Sequence, residues 1–128
     1  MLSIGQVAER TGMSVHALRF YEREGILAHP VERESNGRRV YRDDDVEWLI
    51  LCTRLRASGM PLTAIRRYAE LVRQGLGNEK ERLSLLREHR ERVAGQIAEL
   101  EECLTMVTRK IGWYEEALAK GETDPLLR

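Results

Sequence analysis

Between residues 83 and 118 the apolar side chains recur in alternating steps of three and four. Positions 83, 86, 90, 93, 97, 100, 104, 107, 111, 114 and 118 read Leu, Leu, Arg, Val, Ile, Leu, Leu, Val, Ile, Tyr, Leu, so a single arginine interrupts the run. A 3.5-residue repeat held over more than four heptads makes a narrow apolar seam on one helix face, the pattern of a coiled coil. A helix of roughly 40 residues is about 60 Å long, too long to be covered by the small domain the remaining residues can form. The seam therefore needs a partner. Two-fold homodimers are the commonest closed assembly, so Leu86, Val93, Ile97, Leu100, Leu104, Val107, Ile111 and Tyr114 are expected to pair with a second copy. The competing expectation is an amphipathic helix folded back on its own domain.

Upstream, the punctuation is that of short helices. Ser3-x-x-Gln6 reads as a capping box, with Ile4, Val7 and Ala8 on one side of the helix it opens. Thr11-Gly12-Met13 is a tight turn, and Ser14 can cap a second helix that stops at Gly25. Two helices joined by such a turn form a helix-turn-helix, here residues 4–24. Pro30 and the Asn36-Gly37 pair then break helical periodicity, and with Val31, Val40 and Tyr41 they predict a two-stranded wing over residues 27–42. Asp43 is expected to cap a third helix that ends near Ser58 and Gly59. Pro61 leads into a fourth over about 62–74, and Asn78-x-x-Glu81 opens the long one. The third helix is apolar on two sides, Val46, Leu49, Ile50, Thr53 and Ala57 against Trp48, Leu51, Cys52 and Leu55, so both sides must be covered. One side would complete the N-terminal core, and the other would receive the long helix. The expected organisation is an N-terminal domain over residues 1–75, a coiled-coil helix over 78–120 and a tail over 121–128.

Composition narrows the function. Lys plus Arg and Asp plus Glu each number 21, so the formal net charge is zero. Residues 1–74 nevertheless carry 12 basic against 10 acidic side chains, and residues 75–128 carry 9 against 11. That footprint is weak, so any nucleic-acid contact must come from a few well-placed arginines. The start has no basic region followed by a long apolar run, no stretch approaches a membrane span, and two distant cysteines do not staple a secreted fold. A cytoplasmic, bacterial location without membrane association is expected. His16, His29 and His89 have no nucleophile arranged against them, so no enzyme is expected.

The stretches "SIGQVAERTGMSVHALRFYEREGIL", "NGRRVY" and "GMPLTAIRRY", followed by the seam, resemble the MerR family of bacterial transcription regulators, in that family's order and over about residues 2 to 120. The resemblance implies a mainly α fold: a winged helix-turn-helix followed by a long coiled-coil dimerisation helix. It also implies that the second helix enters the major groove of double-stranded DNA, with His16, Arg19 and Tyr21 at the matching positions. Arg33, Arg38, Arg39 and Tyr41 of the wing and Arg56 of the third helix match its backbone contacts, although Arg38 stands where members commonly carry an aromatic. Arginine forks suit phosphates and guanine edges, and a tyrosine hydroxyl can donate to a phosphate. By the same resemblance, a homodimer would bind a dyad operator, distort promoter DNA and act on RNA polymerase there. A coiled-coil adaptor without specific DNA binding is the alternative; it explains the seam but not the wing arginines.

The effector stays open. Metal-sensing relatives carry cysteines near the start of the long helix, and iron–sulfur relatives carry four C-terminal ones. This chain has only Cys52 and Cys103, so no cofactor is expected. "DDVEW" and "RLSLLREHRERVAGQIAEL" look like the aldehyde- and nitrosative-stress branch, whose sensing cysteine aligns with Arg54 rather than Cys52. Cys52, placed on the face turned to the long helix, and Cys103 are the two possible sensors. A small-molecule pocket, or little effector response, remains equally compatible.

Overall fold

The computed structural model describes residues 1–121; the expected tail lies, from residue 122 on, outside the described residues. In chain order the elements are β1 (Leu2–Ser3), α1 (Ile4–Thr11), α2 (Val15–Arg23), β2 (Glu32–Arg33), β3 (Arg39–Tyr41), α3 (Asp43–Ala57), α4 (Leu62–Gln74) and α5 (Glu79–Lys120). Two units result, Met1–His89 and the remainder from residue 90.

Local chemistry sets the helix ends. Ser3 and Gln6 close the capping box in both directions, through Ser3 N–H to Gln6 Oε1 at 2.8 Å and Gln6 N–H to Ser3 Oγ at 3.2 Å. Gly12 takes the left-handed conformation (φ 75°) that ends α1 and turns the chain into α2, where Ser14 Oγ accepts the Ala17 N–H at 3.0 Å. The third helix starts differently from the sequence reading. Arg42, not Asp43, is its N-cap residue, and Asp45 accepts the Arg42 N–H at 2.8 Å. Three consecutive aspartates fill the first turn, where the helix dipole favours negative charge.

The wing turns at Asn36-Gly37 as expected, with Gly37 at φ 83° and the Arg38 N–H bonded to Asn36 Oδ1 at 3.0 Å. It has one more strand than the sequence suggests. β1 pairs antiparallel with β3 (Leu2 opposite Tyr41), giving the order β1-β3-β2. Two residues of strand carry no periodicity of their own, so only the pairing reveals them.

One core holds the first unit together. Val7 of α1, Leu18 and Tyr21 of α2, Ile26 and Leu27 of the following loop, Tyr41, and Val46, Leu49, Cys52 and Leu55 of α3 pack with Met60 and Ile65. The unit extends to residue 89 rather than ending near 75, because the start of α5 is tied to it. Asn78 Nδ2 donates to Leu71 O at 2.9 Å, Arg67 pairs with Glu81 at 2.7 Å, and Leu85 packs on the core. His89 is buried, and its Nε2 lies 2.8 Å from Ser58 Oγ.

In the second unit, the seam lies uncovered along α5. Ile97 is 51% and Leu104 65% exposed, with Leu100, Val107 and Ile111 similarly open. No helix among the described residues is long and apolar enough to cross a membrane. Leu49 is fully buried where α3 meets the core, so Leu49→Ala should cost about 2–5 kcal/mol. Urea unfolding should show a lower midpoint at an unchanged slope.

Candidate nucleic-acid interface

The second helix of a helix-turn-helix must bury one face and offer the other. In α2 the buried face is Leu18 and Tyr21, and the exposed side chains His16, Arg19 and Arg23 fall at i, i+3 and i+7 along one stripe. Arg23 belongs to that stripe by spacing alone, although the sequence reading did not single it out.

Two residues expected at DNA sit in the core instead. Tyr21 is 5% and Tyr41 1% exposed, and both belong to the buried cluster. The Tyr41 hydroxyl is buried and, among the described residues, has no hydrogen-bond partner, and burial, followed by the Glu22 carboxylate, raises its pKa. Their pairing to Val and Leu neighbours across α1, β1 and α3 makes them structural supports for the reading surface. An aromatic in a "RFYE" or "RRVY" string looks alike whether it faces water or core, so only the packing separates the two roles.

The arginines divide into tied and open. Arg39 Nε bridges both carboxylate oxygens of Glu22 at 2.9 and 3.1 Å, an ion pair in which both side chains are partly buried. That pair raises the Arg39 pKa and fastens β3 to α2. Arg33 Nη1 donates to Gly37 O at 3.0 Å across the wing turn, and the Arg56 guanidinium lies 5.1 Å over the Phe20 ring. Arg19 and Arg38 are exposed and, among the described residues, have no carboxylate within 4.0 Å.

What aims α2 is the chain just past its end. The carbonyls of residues 24 to 27 leave the helical ladder while Ile26, Leu27 and Ala28 are buried, so each needs a donor. All four get one from a side chain. Arg66 Nε donates to Glu24 O at 2.8 Å, Arg73 Nη1 to Gly25 O at 2.8 Å and to Leu27 O at 2.6 Å, and Trp48 Nε1 to Ile26 O at 2.7 Å. Arg66 also pairs with the Glu24 carboxylate. Trp48 in turn stacks on Tyr68, with centroids 5.5 Å apart. Arg66 and Arg73 of "AIRRYAELVRQ" therefore position α2, a role that a solvated-looking sequence string conceals.

The possible sensors part company. Cys52 is fully buried in the core with Leu49 and Leu55, and burial alone pushes its thiol up to about 12. Cys103 is exposed on α5. One donor cluster, His29, Asp44 and Asp45, brings its ligand atoms within 4.8 Å of one another, but Asp45 is engaged as the α3 cap and Asp44 lies 3.8 Å from His29. This is the chemistry of a helix start.

Comparison with known proteins now has a geometry to meet. The family described as MerR HTH family regulatory protein matches residues 2–71, and the one described as MerR, DNA binding matches residues 46–109. The chain belongs to the MerR family of DNA-binding transcriptional regulators. An HTH-type transcriptional regulator of Haemophilus influenzae is 40% identical over 116 residues, covering 91% of this chain and 85% of that one. Among solved structures, HiNmlR, a MerR family regulator lacking the sensor domain and bound to promoter DNA, is 38% identical, covers 94% of each chain and superposes with a TM-score of 0.81. A MerR family regulator from Listeria monocytogenes, 28% identical over 94% of this chain and 91% of that one, gives 0.88. Family membership sets aside the adaptor without specific DNA binding, and these relatives are regulators rather than enzymes.

Three outcomes are expected. Arg73→Ala strips donors from two carbonyls and should cost about 1–3 kcal/mol, read as a lowered unfolding midpoint. Between the ordinary thiol pKa near 9 and the raised value of about 12 for Cys52, the unfolded chain releases a proton that the folded one keeps. Stability should therefore fall as pH rises through that window, by at most about 1.4 kcal/mol per pH unit, and Cys52→Ala should flatten that part of the decline. At neutral pH a thiol reagent should modify one equivalent, at Cys103, until the protein is unfolded.

Proposed function

We propose that this protein binds a dyad operator within promoter DNA as a homodimer, distorts that DNA, and thereby controls transcription by RNA polymerase in the cytoplasm of a bacterium in response to a stress or small-molecule signal. The observation that carries the reading is the exposed stripe of His16, Arg19 and Arg23 on a helix whose exit is pinned by Arg66, Arg73 and Trp48. A stripe held that firmly suits insertion into a major groove. The wing arginines Arg33 and Arg38 supply backbone contacts beside it, and Arg56 supplies one from α3.

Dimerisation rests on the seam. Its exposed leucines, isoleucine and valine leave a contiguous apolar strip in water that a second α5 would cover. Two reading units on one symmetric body ask for two half-sites, and bending the duplex between them costs a few kcal/mol, offset by the added backbone contacts. A thiol signal would enter at the exposed Cys103, since the Cys52 thiol is held protonated in the core.

The test is a gel shift on DNA from the region upstream of the protein's own gene, paired with sedimentation. The wild-type protein should sediment as a dimer and retain a dyad-containing duplex over a scrambled one. The double substitution Ile97→Glu/Leu104→Glu should give monomers and lose dyad retention by about tenfold or more, a change of about 1.4 kcal/mol or more. A monomeric wild-type protein, or equal retention of both duplexes, would reject the reading.

A further inference from the structure

We infer that a concave notch between α1, α2 and the wing seats one backbone phosphate of the DNA, and that Arg19 serves there with Arg38 as a shared phosphate clamp rather than as a reader of a base. This rests on the DNA-binding reading above and assigns a specific job within it.

The notch has a volume of about 310 Å³ and is lined by Arg19 of α2, by Arg38 and Arg39 at the wing, and by Ile4, Gly5 and Gly37. Every charged side chain on its wall is a cation. The acidic residue that could have neutralised it, Glu22, already has both carboxylate oxygens engaged by Arg39 Nε. Arg19 and Arg38 are thus left with uncompensated charge, since among the described residues neither has a carboxylate within 4.0 Å.

Shape then chooses among anionic or acceptor groups of DNA. Base edges lie flat on the floor of a groove, whereas phosphates project from the duplex and accept several donors at once. A concavity with cations on two sides is complementary to the projecting group. The glycines keep it open. A Cβ at Gly5 would meet only Ser3 Oγ, at 3.8 Å, and one at Gly37 would meet no atom within 4 Å. No internal packing demands that Gly5 lack a side chain, and its bare backbone lies in the first turn of α1, where the helix dipole adds to the attraction for an anion.

Two arginines on one phosphate have a signature that two arginines on separate phosphates lack. Each phosphate neutralised contributes about 0.9 to the slope of log affinity against log salt. The experiment measures affinity of the full-length protein for its labelled operator and for a scrambled duplex across a potassium chloride series. The proteins are the wild type, Arg19→Gln, Arg38→Gln and the double variant. Melting curves should match throughout, because both side chains are exposed. Each substitution occurs twice in the homodimer, so we expect the double variant to lose about two units of slope, one phosphate for each subunit, with operator-over-scrambled discrimination unchanged in every variant. A loss of about four units or of none overturns the shared clamp, and so does a drop of about tenfold in discrimination for Arg19→Gln, the mark of a lost base contact. Failure of the wild-type protein to prefer its operator would instead sink the parent reading, so the two failures are told apart.

Discussion

Four successive carbonyls at the exit of α2 cannot be left dry. The loop there is buried because Ile26 and Leu27 belong to the core, and a buried carbonyl without a donor costs about as much as a lost hydrogen bond. Arg66, Arg73 and Trp48 meet that demand from α3 and α4, and in doing so they fix the pitch of the helix that carries His16, Arg19 and Arg23. Apolar packing alone would hold α2 against the core but leave it free to slide, because hydrophobic contact is non-directional. Directional bonds at its end remove that freedom. The membership of the chain in a family of DNA-binding regulators gives this rigidity its purpose.

Much of this architecture was legible in the sequence, for a local reason. Ser3, Gly12, Ser14, Gly37 and Gly59 act within a turn of where they stand, so caps and stops follow from neighbours alone, and the observed helices begin and end within a residue or two of those marks. The seam of α5 was equally plain, since its information is a spacing repeated many times. Strand β1 was not, because two residues have no period and their partner is about forty positions away.

The reading surface was legible in part. Arg19 and Arg38 reach solvent as their pattern suggested, but Tyr21 and Tyr41, read as facing DNA, belong to the core. A helical wheel gives the angle between two side chains and leaves open how wide the buried arc will be. For α3, apolar nearly all round, that arc took in Cys52 and left Leu51 exposed. Arg66 and Arg73 were invisible as positioning groups because their partners are backbone atoms more than forty residues away, to which sequence carries no pointer. His89 escaped for the same reason, its neighbour Ser58 lying 31 residues earlier.

The bridge between Glu22 and Arg39 has a mechanical consequence. It joins the element that would probe bases to the element that would hold the sugar–phosphate rail, through a guanidinium partly withdrawn from water. Neither can yield separately when the duplex resists. If the duplex is bent as proposed, elastic work done during association would be stored in the nucleic acid, with the protein as its mould.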